Sequence, residues 1–116
     1  MSFRFRREER LKGRNEIREV FGKGKRFNCR GAKLFVYKND LPYNRICFAL
    51  PKGFGGAVAR NRAKRLGREA YRLMKNRLLG GYDLILLVYQ EAKEEIFISD
   101  RLSQFESLFI KAGLFK

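Results

Sequence analysis

Apolar residues in this chain switch between two periods. From Asn15 to Gly22 (NEIREVFG), Ile17, Val20 and Phe21 recur at helical spacing before a closing glycine, which predicts a short helix. Alternation takes over at Lys33 to Lys38 (KLFVYK), a strand with Leu34 and Val36 on one face and Phe35 and Tyr37 on the other. Asn, Asp and Pro mark Lys38 to Arg45 (KNDLPYNR) as a turn. Arg45 to Leu50 (RICFAL) is a second strand, with Ile46, Phe48 and Leu50 on one side and the small Cys47 and Ala49 on the other. A weaker strand around Lys25 to Cys29 precedes these two. Pro51 to Gly56 (PKGFGG) breaks the chain. Ala57 to Arg77 then returns to a helical period, with Ala59, Ala63, Leu66, Ala70 and Leu73 in one stripe and Gly80-Gly81 as its end. Tyr82 to Tyr89 (YDLILLVY) is a continuous apolar run, predicting a strand covered on both faces. Asp100 to Ala112 carries Leu102, Phe105, Leu108 and Phe109 at helical spacing, with Asp100 as cap and Gly113 as stop.

The order is helix-strand-strand-strand-helix-strand-helix, an α+β chain that predicts a two-layer α/β sandwich. Strand, basic helix and strand form a crossover, which the general rule makes right-handed. With 116 residues, 45% hydrophobic content and eleven Phe, one domain with a single core is expected over residues 1–116. Cys29 and Cys47 have neither metal-site spacing nor the density of a disulfide scaffold, and read as reduced, partly buried residues.

Charge changes the picture. Segment 57–77 holds Arg60, Arg62, Lys64, Arg65, Arg68, Arg72, Lys75 and Arg77 against Glu69 alone. A basic helix is usually a solvated face, but such a face mixes signs, whereas Arg60, Lys64, Arg68 and Arg72 set like charges at i,i+4, which is destabilising. A polyanion would offset that. The whole chain agrees: 27 Lys+Arg against 12 Asp+Glu give a net charge of +15 and a pI near 10.4, the footprint of a nucleic-acid binder. The longest apolar run, Leu84 to Tyr89, is far short of the roughly 20 residues of a membrane span. The start SFRFRREERLKGR lacks the apolar block of a signal peptide, so a soluble, cytoplasmic protein is expected.

Chemistry by the chain alone has little support. Histidine is absent, and with it the commonest general base. The carboxylates are scattered, with no spacing suited to a two-metal centre; Glu91, Glu94 and Glu95 cluster in QEAKEE but read as a solvated loop. PKGFGG lacks the Lys-Ser/Thr ending of a phosphate-cradling loop. A major-groove DNA helix would call for a zipper or turn-helix partner, and neither is visible. Phe35 and Tyr37, sharing a strand face with Cys47 and Ala49, predict instead an open aromatic floor of the kind on which unpaired bases stack; the alternative is that both rings are core.

These residues carry a resemblance. GGAVARNRAKRLGREAYR, with Arg60-Asn61-Arg62, Lys64-Arg65 and Arg68-Glu69, resembles the signature of the bacterial ribonuclease P protein subunit. The likeness extends through RLKGRNEIREVFGKGKRF and KLFVYK, covers Arg10 to Tyr89 and fades in the last quarter. It implies a protein that joins a catalytic RNA and promotes removal of the 5′ leader from precursor tRNA, with cleavage belonging to the RNA. It implies that Arg60, Asn61, Arg62, Lys64, Arg65 and Arg68 contact that RNA, together with Lys52 and Arg72 of the same basic surface. Magnesium would be held mainly by RNA phosphates. The leader would lie in a cleft of the sheet and first helix, at Phe21, Phe35 and Tyr37. The crossover would be left-handed, against the general rule.

Three departures stand out. Ile17 occupies a position where the family often has a second aromatic, and Pro51-Lys52-Gly53 replaces the usual Ser-Lys-Lys. Gly67 lies inside the basic helix, at a cost of about 1 kcal/mol relative to Ala, and marks either a close backbone approach or nothing. Two other readings stay open: a general RNA-binding or ribosomal protein without a role in tRNA processing, and a protein nuclease acting alone.

Overall fold

The computed structural model describes residues 6–90 and 96–116; Glu91, Glu94 and Glu95 lie outside the described residues, as do the first five. Helices α1 (Arg14–Lys23), α2 (Ala57–Met74) and α3 (Ile98–Ala112) pack on strands β1 (Lys25–Cys29), β2 (Ala32–Lys38), β3 (Arg45–Ala49) and β4 (Tyr82–Val88). Short 3-10 turns cover Arg7–Glu9 and Lys75–Arg77.

The sheet order is β1-β2-β4-β3. β1 and β2 form a hairpin closed by Arg30 and Gly31, the latter at φ 86°. β4 enters between β2, antiparallel, and β3, parallel, so β3-α2-β4 is the crossover whose left-handed sense the resemblance implies. A central position explains the unbroken apolar run of β4. Leu84, Leu86 and Val88 join α2 and α3 in the larger core, while Ile85 and Leu87 face α1 and Leu11 in a smaller one. Two layers of helix therefore sandwich one sheet.

Several boundaries moved. Gly22 lies within α1, which instead stops at Gly24, whose N–H bonds the Val20 carbonyl at 2.9 Å. A Cβ at residue 24 would sit 2.5 Å from that oxygen and 3.1 Å from the Val36 carbonyl, so the direct turn from α1 into β1 requires glycine. Helix α3 begins earlier, at Ile98, and Asp100 is not its N-cap. Its carboxylate reaches back to accept the Phe97 N–H at 2.7 Å.

The larger correction concerns α2. Its buried residues are Ala63, Gly67, Ala70, Tyr71 and Met74, whereas Ala59 and Leu73 are exposed and Leu66 half-buried. At 100° per residue the buried stripe is rotated by roughly 60° from the expected one. Gly67 is the reason. A Cβ there would stand 3.0 Å from Cδ1 of Phe48, so the missing side chain lets α2 settle directly onto β3. Of the two readings of Gly67, the close approach holds.

Candidate nucleic-acid interface

Rotation of α2 decides where its cations point. Asn61, Arg62, Arg65 and Arg68 are exposed, as is Lys52 in the preceding loop, whereas Arg60, Lys64 and Arg72 are half-buried. Arg60 donates to the carbonyls of Pro51 and Phe54, each at 3.4 Å, and so ties the helix to the loop before it. That loop is an anchor, since Phe54 is buried in the main core. Arg72 pairs with Glu69 through bonds of 3.2 and 2.5 Å; hydrogen bonding to Arg72 holds the Glu69 carboxyl below its usual range. This contact relieves one end of the like-charge stack. Among the described residues, Arg65 and Arg68 make no hydrogen bond or ion pair, and their charge is left to solvent or to a ligand.

Strand pairing organises the other half of the site into rows across the α1 side of the sheet. Tyr37, Asp83 and Arg45 stand in one row, Arg26, Phe35, Ile85 and Cys47 in the next, and Asn28, Lys33, Leu87 and Ala49 in the third. Helix α1 packs on β2 and β4 and closes the first row: the Tyr37 hydroxyl donates to Glu19 at 3.2 Å. In the same row Arg45 meets the buried Asp83 through two bonds of 2.7 and 2.6 Å, and this contact raises the guanidinium pKa further. The third row stays open, with Ala49, Leu87 and Lys33 half-buried and Asn28 exposed. Three strand intervals make this lane about 14 Å long.

The expected open aromatic floor needs correcting here. Phe35 is only 6% exposed. Phe21 meets it edge-on at 4.8 Å, and the Arg26 guanidinium and Lys33 ammonium lie 5.8 and 6.0 Å from its centroid. For Phe35 the core alternative is the right one; Phe21 and Tyr37 are half-buried at the border. β3, which carries Ala49 at one end of the lane, packs against the basic helix α2. Burial pushes the Cys47 thiol up, and the Lys64 ammonium opposes that shift. Both cysteines are free and half-buried, as the sequence predicts.

Arg26, Lys33 and Leu87 were missed by residue-by-residue reading. A signal for the first two existed: once Arg30-Gly31 is taken as a two-residue hairpin turn, counting outward pairs Asn28 with Lys33 and Arg26 with Phe35.

Comparison with known proteins identifies the family and the fold. The sequence model of the ribonuclease P family matches residues 5–113. A ribonuclease P protein component of Clostridium acetobutylicum is 37% identical over 110 residues, 93% of this chain and 92% of that one. Another, from Natranaerobius thermophilus, is 44% identical over 84 residues, 72% and 73% of the two chains. The RNase P protein structure of Staphylococcus aureus superposes with a TM-score of 0.81 at 25% identity, covering 93% of this chain and 98% of its own. That of Thermotoga maritima gives 0.78 at 25%, covering 89% and 96%. In sequence over nearly all its length, and in fold, this chain belongs to the ribonuclease P protein family, and it is a protein component of the enzyme that processes tRNA.

Proposed function

We propose that the chain binds a catalytic RNA through the outer face of α2 and Lys52, while the lane across the sheet receives the single-stranded 5′ leader of precursor tRNA. The observation that carries this is the placement of two surfaces on β3: the exposed Asn61, Arg62, Arg65 and Arg68 of α2, which packs against β3, and an open row of the sheet that ends at Ala49 of β3. The first suits the phosphates of a folded RNA and the second one unpaired strand. Phe21, edge-on to Phe35 of the middle row, borders the lane, and Tyr37 lies one row beyond Phe35, beside α1. A leader site also separates substrate from product, because mature tRNA has nothing to place there.

Cleavage is assigned to the RNA. The chain has no histidine, and among the described residues no three His, Cys, Asp or Glu side chains gather as metal ligands. Magnesium is assigned to RNA phosphates, where the α2 cations would lower the repulsion between neighbouring strands. A cytoplasmic setting is supported by the free cysteines; among the described residues, no helix is long and apolar enough to cross a membrane.

The test is cleavage of precursor tRNA by the protein alone, by a ribonuclease P RNA alone, and by both at low magnesium. Only the mixture should cleave efficiently. Cleavage by the protein alone would make it a nuclease, and a mixture no faster than the RNA would reduce it to a general RNA-binding protein.

A further inference from the structure

At the C-terminal end of α2 the fold leaves a second concavity of about 240 Å3. Tyr71 and Leu78, both buried, line it together with Lys75 and Glu9, which are joined by bonds of 3.0 and 2.9 Å. The Lys75 side chain is 9% exposed and that of Glu9 17%. A pair so far out of water is costly to desolvate and adds little over apolar residues of the same shape, so stability alone does not account for it. The walls are set by other bonds. Asn44 donates to the Leu79 carbonyl and accepts from the Tyr82 N–H, both at 2.8 Å, and the Asn39 amide donates to the Tyr43 carbonyl at 3.2 Å. Tyr43 is thereby held at the pocket, 36% exposed.

We propose that this pocket takes one unpaired nucleobase of an RNA partner, with the base inside and its phosphate at the rim beside Lys116. Size favours a single ring system, because pockets for drug-sized ligands begin at about 300 Å3. Polarity favours a base over a bare anion. Each Glu9 oxygen accepts one bond from Lys75, which leaves acceptor capacity on a carboxylate with about four lone-pair sites. A base edge presents N–H donors that this carboxylate can accept, whereas a free phosphate would meet the negative charge of Glu9. The Tyr43 ring supplies a stacking surface. At 100° per residue Asn61, Arg65, Arg68 and Arg72 of α2 fall within about 60° of one another, and the Lys75–Arg77 turn follows at the C-terminal end of that face. Lys75 and Asn76 of that turn line the pocket, which therefore lies just past the C-terminal end of the helix that carries the exposed cations. This last step rests on the RNA reading above.

The experiment uses the protein without partner RNA, so its failure would leave the cleavage assay untouched. The four ribonucleoside 5′-monophosphates, ribose 5-phosphate and inorganic phosphate are titrated separately, following backbone amide resonances of Tyr43, Asn76 and Leu78 by NMR. At least one nucleotide should shift these resonances saturably, and at least about tenfold more tightly than ribose 5-phosphate, the worth of stacking one base. Glu9→Gln, and independently the exposed-site variant Tyr43→Ala, should each weaken that nucleotide about fivefold or more. Equal binding of ribose 5-phosphate or phosphate would overturn the proposal in favour of an anion site. Resonances that no nucleotide moves, or variants that bind as well as the parent protein, would also overturn it.

Discussion

Single residues set the contacts on which everything else depends, and Gly67 is the clearest. It gives up about 1 kcal/mol of helix propensity relative to Ala, and in return α2 rests on the Phe48 ring. Gly67→Leu should therefore cost about 1 to 3 kcal/mol in denaturant unfolding, the usual penalty of overpacking, despite a better helix former. Tyr71 gives a second residue-scale prediction. Burial first, and the Glu9 charge second, hold its phenol well above the ordinary tyrosine pKa. The folded state keeps the proton while the unfolded chain releases it above pH 10, so this contribution is whole below pH 10 and is lost as pH rises. Each unit above 10 should subtract up to about 1.4 kcal/mol. Tyr71→Phe should flatten that alkaline decline in urea titrations at several pH values; an unchanged slope would show that other groups cause it.

Between elements, the border of the lane separates function from core. Tyr37→Ala should weaken binding of precursor tRNA to the assembled complex by about 1 to 3 kcal/mol, as for a base on an aromatic ring, and leave mature tRNA unaffected. Phe35→Ala should instead destabilise the fold by about 3 to 5 kcal/mol, because its ring is buried between Phe21 and the sheet. Equal losses for both tRNAs in Tyr37→Ala would return that ring to the core as well. Strand alternation made the two faces legible in sequence: Leu34 and Val36 do join the main core, and Phe35 and Tyr37 the other side. Exposure was not legible, because nothing local to KLFVYK reveals that Phe21 lies over Phe35. The face of α2 was misread for a related reason. Hydrophobicity ranks Leu66 and Leu73 above Gly67, but close packing against Phe48 rewards the smallest residue, and Phe48 is distant in sequence. Asp83 was passed over inside an apolar run, since its partner Arg45 lies on another strand.

For the whole molecule, the net charge is +15, and the exposed outer face of α2 carries Arg62, Arg65 and Arg68. If five or six phosphates are neutralised on binding the catalytic RNA, log K should fall with log salt at a slope of about −3 to −5. Arg65→Ala or Arg68→Ala should lower that slope by about one and leave the melting temperature nearly unchanged, as both side chains point away from either core. A slope near zero in the parent protein, or a large loss of melting temperature in these variants, would reassign them to structure.

The position of β4 also bears on how the protein comes into being on the ribosome. Among the described strands β3 pairs with β4 alone, a single bridge from Arg10 to Ile46 lying on its other side, and β2 meets β3 only through β4. Until Tyr82 to Val88 have been synthesised, the growing chain carries its complete cationic helix but no floor beside it, because Leu87 supplies the middle of the lane. If the lane receives the leader as proposed, a nascent chain would attract RNA nonspecifically before it could hold that leader. Selectivity arrives with one strand, late in translation.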